Sequence, residues 1–429
     1  MMLKSRVVNY ISLGALTLFI YMPFHTFLSV WLSTYTGGLD VWKAWKDVFT
    51  ALVTIFCIVT VFWAKKSTDL YNKLLGLIGL YGLIHVLLFF ITDQPKFTGT
   101  LGIVYNLRIF CYLIIGYSLA LLLPKVNLVR KYSKILIILS SIVCFLALLQ
   151  YFLPKDLLTH FGYAVERGVK PNFFIDDKPD LFRVFSTLRD PNSLGAFLIL
   201  PITFLTHELI KSWKTEKRMF VGGLLILHVW ALLLTFSRST LLATILSIGT
   251  LLVLTNISLL KKYKTQASTG VAILCIATVG FVYMFRDQYF VQNVVFHADE
   301  STVLESPNEL RASLAQKAID GIIEQPLGYG PGTAGLVSTR LPDGLLTENY
   351  FLQILYEVGI FGFAVFIAIL FLVIQKLWFL RRNDTAKIFL ASFTGLLFAN
   401  LFFHTFSNEA VSISIFLLAG VVIGSKKTS

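Results

Sequence analysis

Apolar residues in this chain fall into long runs separated by polar breaks, most of them short. Twelve runs have roughly the 17–25 residues that an α-helix needs to cross about 30 Å of hydrocarbon. Their approximate limits are 10–31, 47–64, 74–92, 101–123, 135–153, 192–210, 219–236, 239–258, 267–285, 350–375, 388–407 and 410–424. The pattern predicts an all-α polytopic membrane bundle of about twelve transmembrane helices. Only two breaks are long, at 154–191 and 286–349. They divide the chain into helices 1–5 (1–153), a first loop (154–191), helices 6–9 (192–285), a second loop (286–349) and helices 10–12 (350–429).

Composition agrees with this division. The chain has 429 residues, of which 56% are hydrophobic and 14% charged, with 38 Phe. A soluble protein carries about 25% charged residues. The net charge of +13 suggests an acidic partner, until the charges are sorted by side. With the N-terminus inside, 22 of the 37 lysines and arginines fall in the inside segments, against four acids. That is the positive-inside asymmetry, which places both termini in the cytoplasm and both long loops outside. The basic charge therefore reports orientation, and no nucleic-acid partner is expected. No small-residue cleavage site closes the first run, so a cleaved signal peptide is not expected. Cys57, Cys111, Cys144 and Cys275 lie within runs and read as small apolar packers. The seven histidines lack ligand spacing, so neither a metal site nor a cofactor is expected. The inside loops hold no phosphate-binding glycine motif, so nucleotide substrates are not expected either.

The second loop has a pattern of its own. Ser306-Pro307-Asn308-Glu309 reads as a capping box with proline at the first helical position. Leu310, Leu314, Ala318 and Ile322 then recur every four residues, flanked by Ala315, Ile319 and Ile323. Arg311, Lys317, Asp320 and Glu324 take the other side. An amphipathic helix along the membrane interface is the expectation. PLGYGPG (326–332) ends it. Its glycines either let backbone amides approach a phosphate or, the more common use, make a tight reversal.

The order Arg311, then PLGYGPG, then Glu348-Asn349 before an apolar run, then Glu357-x-Gly359-x-x-Gly362, resembles the C-terminal half of the O-antigen ligase and polysaccharide polymerase family. Two further strings are similar to that family. In RVFSTLRDPNSLGAFL (183–198), Arg183 and Asn192 match an arginine, small-residue turn and Pro-Asn pair leading into a span. In LLLTFSRSTLLAT (232–244), Arg238 heads a tight hairpin between two spans. The likeness is strongest over about 180–365, and the first five spans share only hydropathy.

Chemistry suggests roles for these residues. Arg238 sits near the membrane boundary, where a cation costs about 2–3 kcal/mol unless partnered; snorkelling to lipid phosphate is the bland alternative. Arg183 and Arg311 read as anion-binding or as solvated loop cations, and Arg189 lacks a clear family counterpart. Arg108 lies below the outer end of the fourth span and is expected to pair with Glu357, in a structural or a catalytic role. Asn192 and Asn349 are expected at the substrate. Glu348 stands where the ligases carry histidine, as in many chain-polymerising relatives. It reads as a base for an attacking hydroxyl in a partly desolvated site, or as an acid favoured by a helix N-terminus.

The resemblance implies a multi-pass enzyme of the bacterial cytoplasmic (inner) membrane that moves glycan from a polyprenyl-diphosphate carrier. Polymerisation of lipid-linked repeat units into O-antigen, capsule or exopolysaccharide is the leading expectation, by a metal-independent glycosyltransferase. Glu348, Arg238 and Arg183 are its expected catalytic residues. Arg311, Arg108, Asn192, Asn349 and Arg189 are its expected substrate contacts. The expected partners are the lipid-linked donor, a glycan, lipid or protein acceptor, membrane lipids and a chain-length regulator. Ligation to a lipid or protein acceptor is the first alternative. Transport of the lipid-linked sugar is the second, though residues 1–210 and 219–424 show no repeated half.

Overall fold

The structure is a computed structural model, and it describes residues 2–175, 178–212, 215–256, 307–342 and 344–425. The expected span 267–285, Ser306 of the capping box and Cys275 lie outside the described residues.

The fold is an all-α membrane bundle. Helix α1 (Met2–Tyr21) meets α2 (His25–Thr36) through a tight turn at Met22–Phe24, so the first span is longer than its apolar run. The chain continues through α3 (Leu39–Trp63), α4 (Asp69–Ile91), α5 (Lys96–Leu122) and α6 (Leu128–Phe152). A hairpin of β1 (Phe174–Ile175) and β2 (Lys178–Phe182) follows in the first long loop. Next come α7 (Pro191–Lys211), α8 (Thr215–Leu234) and α9 (Arg238–Thr255). The second loop holds α10 (Pro307–Glu324) and the short α11 (Gly335–Ser338). The long α12 (Tyr350–Phe379), α13 (Asp384–Ala399) and α14 (Glu409–Gly424) close the described chain. Among the described residues, nine helices are long and apolar enough to cross a membrane, while α13 and α14 are shorter.

Helix starts follow capping chemistry. Thr68, Asn127, Asp190, Asn349, Asn383 and Asn408 each accept a hydrogen bond from a backbone N–H of the helix they open, satisfying donors that otherwise lack partners. Pro191 adds the favoured first-turn proline to α7.

Helices α5, α7 and α14 form the interior, and small residues let them approach. A Cβ on Gly116 of α5 would lie 1.9 Å from the Leu417 carbonyl oxygen of α14, and one on Gly420 would lie 2.2 Å from that of Leu113. Lipid gives little hydrophobic drive between helices, so such close backbone packing is a main source of cohesion. Leu417 lies in a π-helical turn, Ile413–Leu417, where α14 widens against α5.

One expected span is corrected. The run 388–407 is not helical to its end, because α13 stops at Ala399. Asn400 turns the chain, its Oδ1 accepting from Phe406 N (3.2 Å), and a tight turn at Thr405–Ser407 leads into α14. The polar residues of 400–409 favour local bonds over a continued helix.

Candidate active site

The candidate residues gather at one end of the bundle, where both long loops join it, in three groups. The first surrounds the α8–α9 hairpin. Arg183 donates from Nε to Thr235 O (2.9 Å) and from a terminal nitrogen to Asn192 Oδ1 (2.9 Å). It therefore ties the first loop to the α8–α9 turn and to the start of α7. Val184 N adds a bond to Leu234 O (3.1 Å). Arg238 is the first residue of α9, half-buried at the hairpin where the sequence placed it. The loop is anchored from below: Gln150 Oε1 of α6 accepts from Phe185 N and Ser186 N, and Thr187 Oγ1 donates to Pro23 O.

The second group lies where α10 meets the start of α12. Arg311 Nε donates to Glu348 Oε2, joining two candidates that are 37 residues apart. Their side chains are 40% and 36% exposed. The expected desolvated surroundings of Glu348 are thus replaced by a half-open ion pair. Asn349 is the cap of α12, its Oδ1 accepting from Phe351 N (3.0 Å) and Leu352 N (3.1 Å).

The third group corrects an expectation. Arg108 does not pair with Glu357. Its guanidinium donates to Asp47 (3.1 Å), Glu409 (3.0 Å) and Ser407 O (2.6 Å). Lys46 completes the cluster with Asp47 at 2.9 Å and Glu409 at 3.4 Å. Arg108 and Lys46 are almost wholly buried. Partners from α3 and α14 outcompete Glu357, which accepts instead from Asn106 Nδ2 (2.6 Å). Arg189 pairs with its neighbour Asp190 (3.0 Å).

Backbone strain marks the same end. Among the described residues four non-glycine residues have positive φ, and Ser186 (55°), Phe236 (48°) and Glu348 (46°) each sit within three residues of a candidate arginine or are a candidate themselves. Such conformations cost about 1–3 kcal/mol and persist where surrounding structure enforces them, often at functional sites.

The glycine-rich turn proves structural. Gly328, Gly330, Gly332 and Gly335 all have positive φ. Helix α12 is broken at Gly359 (φ 64°), and the turn fills the break. Tyr329 N donates to Tyr356 O (3.0 Å), Gly330 N to Glu357 O (2.9 Å) and Ile360 N to Pro326 O (2.9 Å). Irregular backbone within a membrane protein survives only when protein satisfies it, as here. These amides are committed to protein carbonyls, so the phosphate-cradle reading gives way to the tight reversal. α10 is also less one-sided than expected. Ala318 and Gly321 are buried, with Gly321 against Tyr356, while Leu310, Ile319 and Ile323 are exposed.

Residues 223–367 match the family model described as O-antigen ligase. Over that stretch the chain is similar to the O-antigen ligases. No curated protein matches it. The matched stretch includes Arg238, Arg311, Glu348, Asn349 and the glycine turn. Arg108, Arg183, Arg189 and Asn192 fall before it.

Sequence reasoning missed the 400–409 segment, which touches two of the groups. Asn400 O accepts from Tyr350 N (2.9 Å) beside Glu348 and the Asn349 cap, while Ser407 O and Glu409 hold Arg108. The signal was present: Asn400, His404, Thr405, Ser407, Asn408 and Glu409 interrupt two apolar runs.

Proposed function

We propose that this protein is a metal-independent glycosyltransferase of the cytoplasmic membrane that polymerises polyprenyl-diphosphate-linked repeat units on the outer face. The Arg311–Glu348 pair carries the reading, supported by the family match across it. A lipid-linked donor brings a diphosphate leaving group of about two negative charges. Arginine forks bind such groups bidentately and stabilise the charge that develops as the glycosidic bond breaks. Donor binding would draw Arg311 from Glu348 to the diphosphate, while Arg238 and Arg183 approach it from the hairpin side. The freed Glu348 carboxylate then takes the proton of the acceptor hydroxyl. The hydroxyl oxygen bonds to the anomeric carbon, the bond to the diphosphate oxygen breaks, and its electron pair leaves with the carrier. The anomeric configuration inverts in one displacement.

Glu348→Gln tests the base. It keeps size and hydrogen bonding but removes the carboxylate, and turnover should fall on the order of 10²–10⁴-fold. Full turnover with a purified lipid-linked repeat unit would end that role. Activity should also survive excess chelator. Loss with EDTA and recovery with a divalent ion would replace the arginine scheme by a metal-assisted one. The ligase alternative shares this chemistry, and glutamate in place of the ligases' histidine favours polymerisation. A lipid A-core or protein acceptor that takes glycan in place of a second repeat unit would reverse that preference.

A further inference from the structure

Glu357 is completely buried in the broken part of α12 and pairs with no cation among the described residues. Its Oε2 accepts from Asn106 Nδ2 (2.6 Å), and its Oε1 accepts from Ala334 N (3.3 Å) and Gln353 Nε2 (3.4 Å). Asn106 Nδ2 also meets His85 Nε2 (3.1 Å), while His85 Nδ1 faces Tyr81 O (2.8 Å). A carbonyl only accepts, so Nδ1 carries the ring hydrogen and Nε2 is an acceptor. Asn106 must then direct both amide hydrogens outward, to His85 and to Glu357. Its Oδ1 has no partner among the described residues. The chain of directions, fixed at Tyr81, therefore demands an acceptor at position 357.

The carboxylate grips the glycine turn from the side while its own carbonyl grips it at Gly330. Beyond Ala334 the turn is joined, by an isolated β-bridge at Leu345, to the segment that leads into Glu348. Gly335 N donates to Leu345 O (2.9 Å), Ser338 Oγ donates to Leu345 O (3.0 Å) and Leu345 N donates to Thr333 O (3.4 Å). Three residues later comes Glu348 with its left-handed backbone, and then the Asn349 cap. Glu348 is thus held from both sides, by the helix cap and by a turn anchored on Glu357.

We infer that Glu357 is a positioning residue, locking the 326–335 turn so that the 345–348 segment aims Glu348 at the acceptor. The catalytic half of this inference rests on the proposed role of Glu348; the mechanical half does not. The test uses the full-length protein in lipid nanodiscs, with hydrogen–deuterium exchange and steady-state kinetics on each variant. Glu357→Gln is nearly isosteric but sets an amide donor against Asn106 or Ala334. Losing one buried hydrogen bond in this way should speed exchange in 326–349 roughly tenfold, leaving α5 and α7 unchanged. Misplacing the base should lower kcat about 10–100-fold with KM within about twofold. Asn106→Ala loosens the same carboxylate from its other side and should speed exchange in the same segment, should Glu357→Gln fail to accumulate. Unchanged exchange in 326–349 would overturn the lock. Faster exchange throughout α4, α5 and α12 would make Glu357 a general packing residue and overturn it too. Faster exchange confined to 326–349 with kcat unaltered would overturn the link to Glu348. If the wild-type protein transfers no glycan, the exchange result still decides the lock while the functional reading fails alone.

Discussion

Arg108 and Arg311 lie at the same end of one membrane protein, yet their surroundings are opposite. Arg108 is closed in: its side chain is 1% exposed, two carboxylates and a carbonyl accept from its terminal nitrogens, and Lys46 shares the same acids. Four elements meet there, because Asp47 and Lys46 come from α3, Arg108 from α5, Glu409 from α14 and Ser407 from the turn before it. Arg311 is open, with one half-exposed carboxylate as its partner. Removing one partner of a buried pair leaves an uncompensated charge, whereas an exposed pair contributes about 0–1 kcal/mol and exchanges readily. The closed cluster suits a fastener, and the open pair suits a site that must release one partner to take another. Burial and the number of acidic partners distinguish them.

The strongest way to break this contrast is Arg108→Ala. It strands Asp47 and Glu409 in the interior and should cost about 3–5 kcal/mol, seen as lost membrane yield or a steep fall in thermal midpoint. A protein that stays folded but inactive would move Arg108 from fastener to substrate contact.

Next in size come Arg238→Ala and Arg183→Ala, which act on the half-buried hairpin. Each should abolish polymer while protein remains in the membrane at near wild-type level. Lysine should rescue either poorly, since a point charge cannot replace a planar fork. Arg183 is the more demanding case, because its bonds to Thr235 O and Asn192 also join three segments. If Arg183→Ala lowers protein level in step with activity, its role is that joint. Wild-type polymer from Arg238→Ala would remove the diphosphate clamp.

What the sequence revealed about these regions follows from range of interaction. The membrane bundle was legible because each span is a local property, a run of apolar residues. Arg238 at its hairpin and Glu348 before its helix were legible because turn and cap chemistry is local too. The partner of Arg108 was not. Asp47 is 61 residues before it and Glu409 is 301 after it, and only packing of α3, α5 and α14 decides that they meet. The end of α13 was misread for a related reason. An apolar run continues through Phe402-Phe403, but Asn400 finds a better bond in the turn at Phe406 than in another helical step. The glycine turn was read in both its uses, and only the break at Gly359, facing it in space, selects one.

The smallest expected effect separates the two uses of Asn349. As cap, its Oδ1 satisfies two backbone donors of α12, and Asn349→Ala should cost about 1 kcal/mol of stability. Aspartate and serine cap comparably well, so Asn349→Asp and Asn349→Ser should keep the thermal midpoint near that of the wild type. A sugar contact behaves differently, because it needs the amide's donor as well as its acceptor. Aspartate supplies no donor and adds a charge beside Glu348, and serine is too short to reach the same point. Turnover that follows stability across the three variants would make Asn349 a cap alone, acting on Glu348 only by fixing the residue after it. Turnover lost in Asn349→Asp and Asn349→Ser at unchanged stability would place its side-chain amide on the glycan. The open pair would then have a neutral neighbour that reads the substrate, which the closed cluster around Arg108 has no room to provide.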